Sequence, residues 1–330
     1  MMRAVRLYLL LHIFLTVFVQ VNTFDPTTAT LVSVFGHLWQ RVYNSQDSCD
    51  SKWISFNATG LKADLETKLF GQHIASGVIL EAVTGFMTND YLQKPLVLSL
   101  HGPSGTGKNF VSQLIAENIY KEGMDSDSVH VFTSLLHFPH EHLIETYKSQ
   151  LQQWIKGNVS NCARSMFIFD DMEKMHPGLI DSIKPFLDYY NKLDGVSYRK
   201  TIFIFISNNG RDFITQKALD FWKEGRGREE IKLRDLETSL SDSAFNSENG
   251  FWHSTLIDEN LIDYFIPFLP LEHRHVVQCV MAEMKARRLQ PDLKVAEKVA
   301  KGLRYIPQSE RAFSKVGCKT VGARLYSYKY

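Results

Sequence analysis

Lys108, Asp170, Asp171 and Asn208 are the side chains of this sequence whose types and settings suit work on a phosphate. Lys108 closes the run Gly102, Pro103, Ser104, Gly105, Thr106, Gly107, Lys108, which reads G-x-x-x-x-G-K. Such a loop turns its backbone N–H groups, with the N-terminus of the next helix, towards polyphosphate oxygens. The lysine neutralises the β- and γ-phosphates. Its glycines permit a tight turn that a Cβ would resist. An ordinary strand-to-helix turn leaves a lysine after the third glycine unexplained. The motif normally ends in Ser or Thr, whose hydroxyl binds Mg²⁺; here Asn109 stands there, followed by Phe110. An amide oxygen is still a hard ligand for Mg²⁺, so binding with altered geometry is expected. Residues 166–171 supply four apolar side chains and then Asp170 and Asp171. A carboxylate at the end of a strand parallel to the loop's own can hold Mg²⁺, and the acid after it can orient and deprotonate a water. Asn208 ends a further apolar run, where an amide can bond a γ-phosphate or the attacking water, although strand-end asparagine is commonly turn chemistry.

These residues need elements to bring them together. Residues 96–100 form an apolar run of strand length before the glycines. From Asn109 to Tyr120 the side chains Phe110, Val111, Leu114, Ile115 and Ile119 recur at helical spacing. Further strands are expected at 129–134, 165–170 and 201–207. Helices are expected from 60, over 74–87, over 141–157 and, opened by Pro177, over 177–190. Four short apolar strands separated by helices predict an α/β fold, a parallel sheet covered by helices on both faces. From 258 onward the pattern reads as all-helical, over 261–268, 271–288, 292–303 and 317–328. The expected division is a nucleotide-binding domain over 58–257 and a small C-terminal helical domain over 258–330.

With 44% hydrophobic and 22% charged residues the composition is that of a globular protein, and a net charge of +1 makes no case for nucleic acid. Arg3 and Arg6 precede a largely apolar stretch over 7–19, which reads as a secretory signal processed near Thr23. That stretch is shorter than the roughly 20 residues a spanning helix needs. In the leader over 24–57, residues 29–39 are apolar again and suit either packing on the domain or peripheral membrane association. Entry to the secretory pathway puts Cys49, Cys162, Cys279 and Cys318 in an oxidising compartment, where three pairings remain open. The sequons at Asn57 and Asn158 are candidate glycan sites, which would place both on the surface. His137, His140 and His142, with His130 nearby, fit no zinc spacing.

GPSGTGKN, FIFDDMEKM and FIFISNNG, with GQH before them and GCKTV near the end, resemble the torsins, lumenal AAA+ ATPases related to the Clp/Hsp100 branch. HFPH, IPFLP and KPFLDYY extend the likeness, which runs from Leu61 to the C-terminus. The resemblance implies ATP and Mg²⁺ as ligands and Gly102 to Phe110 as the phosphate loop. It implies Asn109 and Asp170 at the metal, Asp170 and Asp171 as the Walker B pair, Asn208 as sensor 1 and Lys319 as sensor 2. Gln72, His73 and Ile74 would lie near the adenine. Cys318, beside the sensor lysine, would pair with Cys279; the bond could report redox state to the nucleotide or simply staple the helical domain. The compartment implied is the lumen of the endoplasmic reticulum and nuclear envelope, with assembly into homo-oligomers or with an activator.

Three departures from the family pattern matter. Torsins usually have Glu where Asp171 stands; the shorter carboxylate is retracted by about one bond, and misplacements near 1 Å can cost roughly 10²-fold. Residues 299–303 lack the Glu pair that well-known torsins carry. Where the Clp branch has its arginine finger, alignment puts Leu261, and an apolar side chain cannot stabilise a transferring phosphoryl group. An arginine finger contributes roughly 10³–10⁵ in rate. The resemblance implies that it is supplied in trans by the lumenal domains of lamina-associated polypeptide 1 and its endoplasmic-reticulum relative. The expectation is therefore an activator-dependent ATPase that remodels nuclear-envelope and reticulum proteins. The alternative is a nucleotide-gated scaffold with negligible hydrolysis.

Overall fold

A computed structural model of the protein describes residues 49–247 and 249–327. The expected signal and the apolar stretch over 29–39 lie outside the described residues. Among the described residues no helix is long and apolar enough to cross a membrane.

Two helices, α1 (Ala58–Lys68) and α2 (His73–Thr88), precede the first strand. The Asn57 side chain starts α1 by accepting the Gly60 N–H at 2.8 Å. Strand β1 (Leu96–His101) then runs into the glycine loop and helix α3 (Lys108–Ile119). Strand β2 (Val129–Thr133), helix α4 (Ile144–Asn161), strand β3 (Met166–Asp170) and strand β4 (Ile202–Ser207) follow. After helices α5 (Arg211–Lys223) and α6 (Glu237–Asn246), strand β5 (Tyr264–Pro267) completes a five-stranded sheet of order β2-β3-β4-β1-β5. Every pairing is parallel.

Both sheet faces are apolar, and successive side chains divide between two cores. Leu98, Leu100, Ile168, Ile204 and Ile206 face a core shared with Val111, Leu114 and Ile115 of α3 and with α1 and α2. On the other face, phenylalanines stack across neighbouring strands: Phe132 on Phe169 (5.0 Å), Phe169 on Phe205 (5.2 Å) and Phe167 on Phe203 (5.1 Å). Trp154 of α4 meets Phe167 edge-on, and Phe251 meets Phe205. Each buried ring contributes about 1.5–3 kcal/mol, so the strand ends that carry the functional residues are held by rigid packing.

Two expectations are corrected. Residues 261–268 were expected as helix, and β5 lies there instead. A continuous apolar run carries no period that separates strand from helix; the free edge of β1 decides for strand. Pro267 is tolerated because β5 is an edge strand. The sheet therefore keeps the chain up to Pro267, past the division expected at 257/258. The helix expected over 177–190 is instead a 3₁₀ turn (Ile180–Ile183) and one short helix (Lys184–Leu187). Pro185 has no N–H and collides with the preceding turn, which prevents a longer helix.

Beyond the sheet, α7 (His273–Ala286), α8 (Leu293–Lys301) and α9 (Val321–Tyr326) close around a second core of Val276, Val280, Met284, Val299 and Leu325. Asp292 caps α8 by accepting from the Lys294 and Val295 N–H groups. This region is not wholly helical: Tyr305–Ile306 and Phe313–Ser314 pair as a short antiparallel hairpin. The helix expected over 317–328 starts only at Val321, because Gly317 to Thr320 are used in a loop against the glycine turn.

Candidate functional site

At the C-terminal ends of β1, β3 and β4 lies a cavity of about 1300 Å³, walled on its far side by α7. Ligands of open parallel sheets bind at these strand ends. Ser104 to Phe110 line it together with Asp170, Asp171, Asn208 and Lys319. Residues spread over more than two hundred positions of sequence thus converge on one space.

The glycine turn owes its path to two contacts. At Gly102 (φ +147°) a Cβ would fall 2.3 Å from the Phe268 carbonyl oxygen, and at Gly105 (φ +74°) 2.0 Å from that of Val316. Only glycine allows both the backbone angle and the approach. The Thr106 hydroxyl closes the turn by donating to Pro103 O (2.8 Å).

Lys108 is 5% exposed. Its ammonium donates to Gly102 O (2.7 Å), Pro103 O (2.9 Å) and Asn208 Oδ1 (3.0 Å). Burial pushes it down to about 8, opposed by the charges of Glu173 and Asp170. A buried ammonium whose partners are neutral oxygens is suited to an anion arriving above it. Gly102 and Pro103 thus sit behind the cavity and serve it through their carbonyls.

Asn109, on the first turn of α3, donates from Nδ2 to Asp170 Oδ2 (2.5 Å). Burial raises Asp170 above the usual carboxylate range, opposed by the Asp171 N–H and the Asn109 amide. The two residues expected at the metal therefore touch. Asp171 has left-handed backbone (φ 58°), and its carboxylate is ion-paired to Lys174 at 2.8 Å.

Lys319 lines the cavity, and the Cys318 N–H beside it donates to Gly105 O (2.9 Å). The C-terminal region thereby rests directly on the phosphate loop. Cys318 is bonded to Cys279 of α7, which fixes that loop to a helix forming the cavity wall. Cys49 and Cys162 form the second disulfide, across 113 positions. Gly317 (φ +53°) would carry a Cβ 2.2 Å from Gly105 O. Gly317→Val is accordingly expected to lift the loop from the turn, forfeiting a hydrogen bond and displacing Lys319. ATP affinity should fall about tenfold, with circular dichroism unchanged; wild-type affinity in the variant would show that this contact is incidental.

Gln72, His73 and Ile74, expected near a base, do not line the cavity. Gln72, 2% exposed, clasps Leu269 through its N–H and carbonyl and donates to Thr106 O (3.1 Å), tying the phosphate loop to the end of β5. His73 meets Ile231 O, and Ile74 is in the core. Phe70, Leu271, Val277 and Met281 form the apolar wall instead. Of the two sequons, Asn57 is exposed. Asn158 is not on the surface as expected: it is 6% exposed within α4, and its Nδ2 donates to Trp154 O.

Two contacts near the site leave little signal in the sequence. Glu173 accepts from the side chain and the backbone of Asn208; the only signal was a third acid in FIFDDMEKM. Leu261, aligned with the missing finger, is 2% exposed, and its carbonyl accepts from Lys94. Among the described residues, those lining the cavity include lysines 68, 108, 174, 285 and 319 but no arginine.

Residues 43–169 match the family model described as Torsin, and residues 271–328 the one described as Torsin-1A, C-terminal domain. The solved S. cerevisiae Hsp104-ADP complex matches with a TM-score of 0.59 and 16% identity, over 82% of this chain and 46% of that one. A closed-state cryo-EM reconstruction of Hsp104 with ATPγS and FITC casein gives 0.56, with the same identity and coverage. At such identity the likeness is one of fold. The chain spans less than half the length of these solved chains.

Proposed function

The chain belongs to the torsin family of AAA+ proteins, and from that premise we propose that it is a lumenal ATPase activated in trans. The observation carrying this reading is the convergence of Lys108, Asn109, Asp170, Asn208 and Lys319 on one cavity that, among the described residues, no arginine lines. Lys108 and the loop N–H groups hold the β- and γ-phosphates, and Lys319 meets them from the C-terminal side. Asn109 through Oδ1 and Asp170 through its carboxylate would hold Mg²⁺ as hard oxygen ligands; the Asn109 Nδ2–Asp170 bond keeps the two residues adjacent and would give way to the metal. Bound there, Mg²⁺ would neutralise charge on the phosphate oxygens. Asp171 takes the proton of the attacking water, and Asn208 orients that water.

The activator supplies the arginine, as lumenal domains of lamina-associated polypeptide 1 and its endoplasmic-reticulum relative would. The protein works on nuclear-envelope and reticulum components, peripherally at the membrane and as an oligomer, alone or with the activator. Two disulfides suit that oxidising lumen. A specific observation favours the scaffold reading: the Asp171 carboxylate is engaged by Lys174 rather than free. Single-turnover ATP hydrolysis with and without an activator's lumenal domain separates the two. No stimulation at saturating activator would leave the scaffold as the correct description. Asp171→Glu extends the carboxylate past Lys174 towards the water and is expected to raise stimulated turnover about tenfold, given the steep cost of misplacement. Lower turnover would mean that the acid's length does not limit the rate.

A further inference from the structure

We propose that Glu173 is a positioning residue, locking the Asn208 carboxamide with Oδ1 turned to Lys108 and the phosphate cradle, so that sensor 1 acts as an acceptor. This deepens the ATPase reading and rests on it for the chemistry. The orientation follows from the neighbours. A lysine ammonium only donates and a carboxylate only accepts, so the end of the amide facing Lys108 must be oxygen and the end facing Glu173 must be nitrogen. Asn208 Nδ2 donates to Glu173 Oε1 at 2.5 Å, and Oδ1 accepts from Lys108 at 3.0 Å. The other carboxylate oxygen, Oε2, accepts the Asn208 backbone N–H at 3.1 Å and lies 3.4 Å from the Ser207 hydroxyl. One carboxylate thus grips both the main chain and the side chain of the same residue.

Glu173 sits in the 3₁₀ turn Met172–Lys174 directly after β3 and is not among the residues lining the cavity, whereas Asn208 is. It therefore acts from behind the site, bridging the ends of β3 and β4. Flipping the amide would set Nδ2 against the Lys108 ammonium and Oδ1 against the Glu173 carboxylate. Both contacts would then be repulsive. In the locked orientation Asn208 presents Oδ1 to the cradle, with one Nδ2 proton committed to Glu173. It can accept one proton of the attacking water, leaving a lone pair of that water for phosphorus.

The test compares Glu173→Ala, Asn208→Ala and the double variant. Freed of Glu173, the amide samples both orientations. The stimulated single-turnover rate is expected to fall about tenfold, while ATP affinity should not fall, because the variant removes a carboxylate charge beside Lys108 that an incoming phosphate would meet. Because Glu173 acts through Asn208, the double variant should be no slower than Asn208→Ala alone. Multiplicative losses, a wild-type rate in Glu173→Ala, or a parallel loss of ATP affinity would each overturn the proposal. A readout independent of nucleotide is the ¹⁵N side-chain amide spectrum of the free protein. The Asn208 NH₂ pair, assigned by its absence in Asn208→Ala, should exchange slowly in wild type and rapidly in Glu173→Ala. Equal exchange in both sinks the locking idea even if ATP hydrolysis is normal. Slow exchange without any hydrolysis would instead retain the lock and count against the ATPase reading.

Discussion

Lys108→Ala is expected to weaken magnesium ATP binding by about 100-fold or more. The ammonium is already desolvated in the free protein, so little of the cost of burying it falls on the binding step. Its three present partners are neutral oxygens of Gly102, Pro103 and Asn208. Exchanging them for charged phosphate oxygens forms hydrogen bonds worth about 1.5–3 kcal/mol each. Losing two such bonds corresponds to a factor of about 100 or more in the dissociation constant. Isothermal titration with ATP measures it, and an unchanged melting temperature would show that the fold survives. Equal affinity in the variant and the wild type would remove the phosphate site from this turn altogether.

Adding an activator's lumenal domain should raise the rate of hydrolysis by about 10³-fold or more, the effect of completing a site with an arginine finger. The physical basis is the set of cations at the cavity. Lys108 and Lys319 lie where phosphates would be met, and Lys174 is committed to Asp171. Among the described residues none lining the cavity offers the planar, bidentate guanidinium that spreads charge over a transferring phosphoryl group. Leu261, aligned with the finger position, carries no guanidinium; its side chain is packed in the core and its carbonyl accepts from Lys94. An activator whose candidate arginine is changed to alanine should still bind but not stimulate. Stimulation that survives every such arginine change would mean that the activator works by rearranging this chain rather than by completing its site.

What the sequence determined by itself was local. The glycines, Lys108 and the helical period after them specify a strand, turn and helix, because backbone angles and side-chain spacing are properties of neighbouring residues. The apolar runs ending in Asp170 and Asn208 specify buried parallel strands in the same way. The sequence also contained four cysteines, and the pairing of Cys279 with Cys318 was implied only by family likeness.

Everything that depends on which strand lies beside which was decided in three dimensions. The run over 261–268 became β5 because β1 had an open edge to fill. Gln72, four residues past the end of α1, binds the Leu269 N–H and the Leu269 and Thr106 carbonyls, partners that only the fold brings to it. Glu173 gained its partner because β3 and β4 are adjacent and in register, which sets the turn after one strand against the residue that follows the other. Hydrogen bonds and charges act over a few ångströms of space. The distances that matter at this site separate residues far apart in the chain, so only the packed sheet could set them.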